Sequence, residues 1–337
     1  MSLSGLIYVI VGLDICHCRA CPDNPNYNWR KTNKMKKIIT KTAIAFLLIS
    51  TALINLSCSK KASGRIPEKT APVSFAGCRC SMYGIRPFPS NDEWIKYAGK
   101  IGEQFPGSAP AFVWIVGHIE GNSTQKACIL NFPLEKPIEG VCDFPADENE
   151  AFLTLCDQKG YQVWLQVEPG DADIVELAYQ TMKRYKNHPS VKGFGVDVEW
   201  YKCANTDGYG TPLTDDVAKA IDKAVKKADP RFNYFAKHWD ENWMPETYRS
   251  DIIFVNDSQG HGSLAKMQKG FKAWADHFAP NTVVYQIGYE SDSGIWSKME
   301  NPVKELGDIL AEGVQDNQNC GIIWVDFTLK KMMKKIK

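Results

Sequence analysis

The chain has 337 residues, 44% of them hydrophobic, with 40 basic and 39 acidic side chains and a formal net charge of +1. That balance leaves no broad field of one sign to gather nucleic acid, and the one concentrated run, 330–337, reads as a solvated last turn. The length allows one large domain behind a leader.

The leader comes first in the chain. Met35-Lys36-Lys37 opens a basic segment, the apolar run 42–56 follows, and Ser57-Cys58-Ser59 closes it. This is the order of a signal peptide, and the run falls short of the roughly 20 residues a spanning helix needs. Leu56-Ser57-Cys58 resembles a bacterial lipobox, with Asn55 standing where that pattern has an aliphatic residue. The resemblance implies that Cys58 is acylated and begins the mature chain. Residues 35–57 are therefore expected to be a lipoprotein signal peptide, 58–72 a tether and 73–337 the folded domain. The expected location is a bacterial cell envelope, lipid-anchored in the periplasm or at the outer-membrane surface. Residues 1–34 hold a second apolar run and the cluster Cys16, Cys18 and Cys21 around His17. No second cysteine–histidine group stands nearby to complete a four-ligand site, and the stretch is read as an extension from a start placed too far upstream.

Strand and helix signals then alternate. Runs 77–83, 111–117, 161–168, 191–199, 232–238, 251–256, 282–288 and 321–327 read as apolar strands. Helices are expected at 94–104 behind a Ser90–Glu93 capping box, at 147–159 ending on Gly160, and at 171–186, 215–228, 264–278 and 302–314. Eight strands each followed by a helical segment predict an α/β fold, a single closed (β/α)8 TIM barrel. Closure pairs the first and last strands and is expected to bring Cys78 or Cys80 near Cys320. Seven cysteines fall in this domain, an odd number. Cys128 and Cys142 bracket one long loop and form the disulfide candidate, while Cys78, Cys156 and Cys320 read as small buried hydrophobes. The chain has no P-loop, no Gly-x-Ser-x-Gly elbow and no zinc-protease pattern, so neither a cofactor nor a metal is expected.

The stretch Gly193-Phe194-Gly195-Val196-Asp197-Val198-Glu199-Trp200-Tyr201 carries the most chemistry. Read as a strand, it aims Asp197 and Glu199 to one side, about 7 Å apart. Gly193 and Gly195 share that side and should leave room beneath them. Two neighbouring carboxylates repel, and burial raises the pKa of at least one. One protonated acid beside one ionised carboxylate supplies general acid catalysis. Charge that merely keeps a strand end soluble is the plainer alternative.

In a barrel of this kind the active site lies at the carboxyl ends of the strands. Those ends offer Tyr83, His118 with Glu120, Gln166 with Glu168, Asp197 with Glu199, Lys237 with His238, Asn256 with Asp257, Gln286 with Tyr289, and Trp324 with Asp326. Trp200, Tyr201, Trp239, Trp243 and Trp296 stand around them. An acid-rich floor ringed by aromatics fits a carbohydrate, whose hydroxyls need many partners and whose ring faces pack on aromatic side chains. Expected substrate-binding residues are Gln166, Glu168, Trp200, Tyr201, His238, Asp257, Gln286, Tyr289, Trp324 and Asp326. For any one of them, His118 or His238 included, ordinary packing is the competing explanation.

The Gly-Val-Asp-Val-Glu-Trp order resembles the fourth-strand Asp-x-Glu of two (β/α)8 glycosidase families, the chitinase-type hydrolases and the Asp-x-Glu muramidases. The resemblance implies Glu199 as general acid and Asp197 as the carboxylate that orients or stabilises a substrate 2-acetamido group. It also implies that Trp324 floors a sugar site. Lys192 and Gly195 stand where the chitinase pattern has two further aspartates, and run 282–288 ends without a second acid for a two-carboxylate retaining enzyme. The expected function is a glycoside hydrolase acting on a polysaccharide, with N-acetylated sugars among the substrates. The alternatives are a non-catalytic carbohydrate-binding barrel, a metal-dependent hydrolase using His118, Glu168, Asp197, His238 and Asp257, and a Schiff-base enzyme through Lys237.

Overall fold

The computed structural model describes residues 73–121, 125–204, 206 and 210–336. The expected upstream extension, signal peptide, tether and lipidation site at Cys58 lie outside the described residues. In chain order the elements are β1 (Val73–Cys80), α1 (Asn91–Gly102), β2 (Ala109–Gly121), β3 (Lys126–Leu130), β4 (Val141–Asp143) and α2 (Glu150–Lys159). Then come β5 (Gln162–Val167), α3 (Ile174–Tyr185), β6 (Val191–Asp197), α4 (Asp215–Ala228), β7 (Asn233–Lys237) and β8 (Ile253–Asn256). The chain continues through α5 (Leu264–Phe278), β9 (Val283–Ile287), the one-turn α6 (Ser293–Trp296), α7 (Pro302–Ala311), β10 (Cys320–Trp324) and α8 (Asp326–Met333).

All strands except β3 and β4 run parallel in the order β1-β2-β5-β6-β7-β8-β9-β10, and β10 pairs back onto β1. The result is a closed (β/α)8 barrel. Parallel neighbours need long crossovers, and helices fill most of them. The link from β7 to β8 is the exception, carrying only a 3-10 turn at Glu241–Trp243. The helices begin where the sequence supplies caps. The Ser90 hydroxyl accepts from the Glu93 N–H while the Glu93 carboxylate accepts from the Ser90 N–H, so two otherwise orphan donors are satisfied together. The Thr214 and Ser263 hydroxyls cap α4 and α5 by accepting from the Val217 and Lys266 N–H groups, and Gly160 ends α2 in the left-handed conformation at φ 69°.

Two apolar layers result. Inside the barrel, Phe75, Ala111, Val113, Trp164, Phe235, Ile253, Val255, Val284 and Ile323 form one cluster. Outside it, the opposite faces of the same strands pack against the helices, with Trp94, Trp274, Trp296 and Trp324 fully buried.

Four sequence expectations need correction. Residues 118–130 are not simply loop, because β2 runs on to Gly121 and pairs antiparallel with β3. Cys128 is a free thiol, so the disulfide with Cys142 does not form. The register pairs Cys128 with Val141 and Ile129 with Cys142, which sends the two sulfurs to opposite faces of the ribbon. First and last strands do pair, but Cys320 lies opposite Val73 and Cys78 opposite Trp324, so neither Cys78 nor Cys80 meets it. The expected room beside Gly193 and Gly195 is filled. A Cβ on Gly195 would fall 2.2 Å from the Phe235 ring, and one on Gly193 would fall 2.1 Å from the Asn233 carbonyl oxygen.

These glycines therefore admit close strand and ring packing. Because the obstacle at Gly193 is backbone, Gly193→Ala should destabilise the domain by about 1–3 kcal/mol, as overpacked cores do. Urea unfolding measures this, and an unchanged midpoint would contradict it.

Candidate active site

The inner face of the barrel changes chemistry near the carboxyl end of the strands. Side chains two apart share a face. Trp164 is followed by Gln166 and Glu168, Gly195 by Asp197, Phe235 by Lys237, Val255 by Asp257 and Val284 by Gln286. On β1 the same face runs from Phe75 through Gly77 to Arg79. A polar plug therefore sits directly on an apolar floor, and nearly all of it is buried.

Lys237 is the centre of the plug. Its ammonium lies 3.0 Å from Asp197 Oδ2 and also contacts Asp257 Oδ2. Gln166 Nε2 donates to the same Asp197 oxygen at 3.2 Å. Arg79 forms the second charged contact, donating to Asp326 Oδ1 through Nε at 3.2 Å and Nη2 at 2.7 Å. Asp326, at the start of α8, also accepts from the Ser81 N–H and hydroxyl. Glu168 Oε2 accepts from the Tyr83 hydroxyl at 2.6 Å and the Ile119 N–H at 2.9 Å. Gln286 Nε2 donates to the Tyr289 hydroxyl.

Two cations thus face five carboxylates, and the cations are already engaged. Lys237 holds Asp197 and Asp257, and Arg79 holds Asp326. Among the described residues, neither Glu168 nor Glu199 has an ion pair. Their acidities follow this division. Burial, then the neighbouring Asp197 charge, pushes Glu199 up to about 8. The same two causes push Glu168 up to about 7. Burial also raises Asp197, but Lys237 pulls against it and leaves the group at about 6. Burial alone would lower Lys237, yet Asp197 and Asp257 hold its ammonium well above the ordinary lysine range.

Glu199 differs from its neighbours in position. The β6 strand ends at Asp197, and Val198–Trp200 turn as a 3-10 segment. The two acids are therefore not equivalent members of one strand, as their spacing predicts. Asp197 is 2% exposed, Glu168 3% and Asp257 6%, whereas Glu199 is half-buried. Among these carboxylates Glu199 alone combines a raised pKa with a partly open position.

Other expected residues fall elsewhere. Trp324 does not floor the mouth. It follows the inward Ile323 and packs in the outer apolar layer, edge-on to Trp296 at 5.6 Å, with its indole N–H donating to the Thr328 hydroxyl. His238 follows the inward Lys237, and strand parity turns it away. It stacks between Trp239 at 4.0 Å and Trp243 at 4.4 Å, accepts from the Asp240 N–H, and is lowered by burial to about 4, so it is neutral at pH 7. Tyr201 is buried where its segment bridges to Gly170, and Trp200 is half-buried at the end of the 3-10 turn. Gln166, Glu168, Asp197, Asp257, Gln286, Tyr289 and Asp326 do converge with Glu199. Sequence alone does not single out Arg79, and it places Lys237 at the mouth only as a Schiff-base candidate and not as a counter-ion. Their signal was a basic residue on the inward parity of an otherwise apolar strand.

Spare hydrogen-bonding capacity gathers in the same place. Among the described residues, six buried side-chain nitrogen or oxygen atoms lack a partner once Asp222 Oδ1, 2.9 Å from the Lys226 ammonium, is set aside. Gln166 Oε1, Asp197 Oδ1, Asp257 Oδ1 and Gln286 Oε1 belong to the plug, and His238 Nε2 lies just behind it. The rim is aromatic. Among the described residues, the exposed large hydrophobics are Met82, Tyr83, Phe88, Trp239 and Phe327, and each follows the carboxyl end of a barrel strand. Beside the first of these loops a cavity of about 630 Å³ is lined by Met82, Phe88, Trp114, His118, Asn131 and Glu148, among others.

No family model matches the chain, and no curated protein matches it. Among solved structures it is similar to the β-glucuronidase of Parabacteroides merdae, with 11% identity and a TM-score of 0.44 over 77% of this chain and 33% of that one. It is also similar to Bacteroides uniformis β-glucuronidase 2, with 12% identity and a TM-score of 0.44 over 75% of this chain and 30% of that one. A third is the endo-1,4-β-mannanase of Eisenia fetida, with 10% identity and a TM-score of 0.45 over 78% and 90%. The chain spans about a third of the length of the two β-glucuronidases.

The raised carboxylates have a thermodynamic consequence. The folded protein keeps protons on Glu199, Glu168 and Asp197 at pH values where the unfolded chain has released them. The stability they contribute is full only below the ordinary Asp value of 3.8 and falls as pH rises toward about 8. Glu199→Gln cannot ionise and should flatten the upper part of that fall. Urea midpoints across the window test this, and parallel curves for wild type and variant would contradict it.

Proposed function

We propose that the protein is a glycoside hydrolase in which Glu199 is the general acid and Asp197 its ionised partner, carried on a lipid-anchored chain in a bacterial envelope. The observation that carries the reading is the half-buried Glu199, protonated at neutral pH beside a carboxylate that Lys237 holds ionised. Glu199 gives its proton to the glycosidic oxygen as the bond to the anomeric carbon breaks. The Asp197 carboxylate faces the positive charge that develops on the sugar, directly or through a 2-acetamido group. Water then adds at the anomeric carbon and returns a proton to Glu199. The Asp-x-Glu order favours an N-acetylated sugar as substrate.

Two further features support a sugar ligand. The four unpartnered oxygens of Gln166, Asp197, Asp257 and Gln286 are acceptors, and sugar hydroxyls are donors. The exposed aromatics at the rim present flat apolar faces to a ring. The cavity beside the first loop has the size of an ordinary ligand pocket and would extend the path of a glycan chain. A second reading, a barrel that binds glycan without turnover, draws on the burial of Asp197 beside Lys237.

With Glu199 protonated below about pH 8 and Asp197 ionised above about pH 6, activity should be greatest between these values. Glu199→Gln should keep glycan binding and slow turnover by about 100- to 10,000-fold. Asp197→Asn should slow turnover and draw the alkaline limb downward, because loss of the neighbouring charge lowers the Glu199 pKa. Turnover by Glu199→Gln at the wild-type rate would overturn the assignment. For the anchor, mass spectrometry of the membrane fraction should find an acylated amino terminus at Cys58. An intact peptide running through residues 50–65 would contradict it.

A further inference from the structure

We propose that Lys237 is the positioning residue that decides which member of the Asp197–Glu199 pair carries the proton. The inference rests on the hydrolase reading for its purpose, but its physical content is independent of turnover. Asp197 and Glu199 are two residues apart, and both lose water at the barrel mouth. When two carboxylates interact, one proton is shared between them unless something breaks the symmetry.

The geometry supplies the asymmetry. Lys237 projects from the inward face of β7, and the β6–β7 register pairs it with Asp197. Its ammonium lies 3.0 Å from Asp197 and contacts Asp257, and all three side chains are at most 6% exposed. The rest of the surroundings comes from other strands. Gln166 on β5 donates to Asp197. Arg79 on β1 acts on Asp197 from farther away, already engaged by Asp326. Tyr289 after β9 faces Lys237, and Glu168 on the β5 side adds a negative charge toward Glu199. Among the described residues, no cation pairs with Glu199. Every direct positive contact to the pair thus falls on Asp197, and the proton is left to Glu199, the member that reaches the open side. Lys237 is buried and its ion pairs are with Asp197 and Asp257, so it acts through Asp197.

A purely structural lysine would hold the plug together without setting the order of ionisation. The two roles separate by direct titration. Protein labelled with 13C at the Asp and Glu carboxyl carbons is titrated by NMR, with the two signals assigned by their loss in Asp197→Asn and Glu199→Gln. In wild type, Asp197 should ionise first as pH rises. Lys237→Arg should preserve that order. Lys237→Met should raise the Asp197 midpoint by about one pH unit or more, a tenfold change in proton affinity, and narrow or invert the order.

Lys237→Met leaves two buried carboxylates without a cation and is the variant most exposed to misfolding. The double variant Lys237→Met/Asp257→Asn removes a charge of each sign and keeps the test open. Lys237 contacts Asp197 directly, whereas Asp257 meets it through the lysine, so the Asp197 midpoint should still rise. An Asp197 midpoint that stays or falls in folded Lys237→Met or in the double variant overturns the proposal. If the titrations behave as described but no glycan is ever cleaved, the positioning role stands and the hydrolase reading falls.

Discussion

One buried ammonium governs the end of this barrel. An ion of this size loses several kcal/mol of hydration when it leaves water, and only close counter-charges offset that loss. Lys237 has two of them, Asp197 and Asp257, and Arg79 has Asp326. The apolar layer beneath, with Phe235 and Trp164 among its members, excludes water from below and sharpens every charge above it. With the cations spent on three carboxylates, Glu168 and Glu199 keep their protons into the neutral range. The chemistry of the mouth therefore follows from how few cations the strands deliver to it.

The end of β6 converts that electrostatic imbalance into a division of roles. Had the strand continued to Glu199, both acids would share one face and comparable burial. The 3-10 turn at Val198–Trp200 instead leaves Asp197 inside and brings Glu199 toward the rim. One carboxylate is buried, paired and ionised, and the other is unpaired, protonated and partly open. Such separation of two titratable groups is how one site supplies both a proton and a stabilising negative charge.

Much of the architecture was legible because its causes are local. Apolar runs and capping residues mark the barrel strands and most helices, and α4 and α5 match their expected bounds. The antiparallel extension of β2 was hidden because His118, Ile119, Glu120 and Gly121 are half-buried or exposed, and their pairing depends on β3 rather than on a periodic pattern. Site residues were legible where parity alone decides, as with Gln166, Asp197 and Gln286. They were misread where residue type outweighed parity. His238 and Trp324 look functional by chemistry, yet each neighbours an inward side chain and so faces the helix layer or the flanking tryptophans. Lys237 and Arg79 were undervalued for the converse reason, since a buried cation makes sense only once its carboxylates, from distant parts of the chain, are seen around it.

The central claim is that this mouth breaks glycosidic bonds. The most direct measurement is to incubate the folded domain with a panel of N-acetylated and neutral polysaccharides in 18O-enriched water and analyse the products by mass spectrometry. The account predicts new, shorter chains carrying one 18O at each new reducing end. Glycans that bind the domain and are recovered at full length, without 18O, would contradict it.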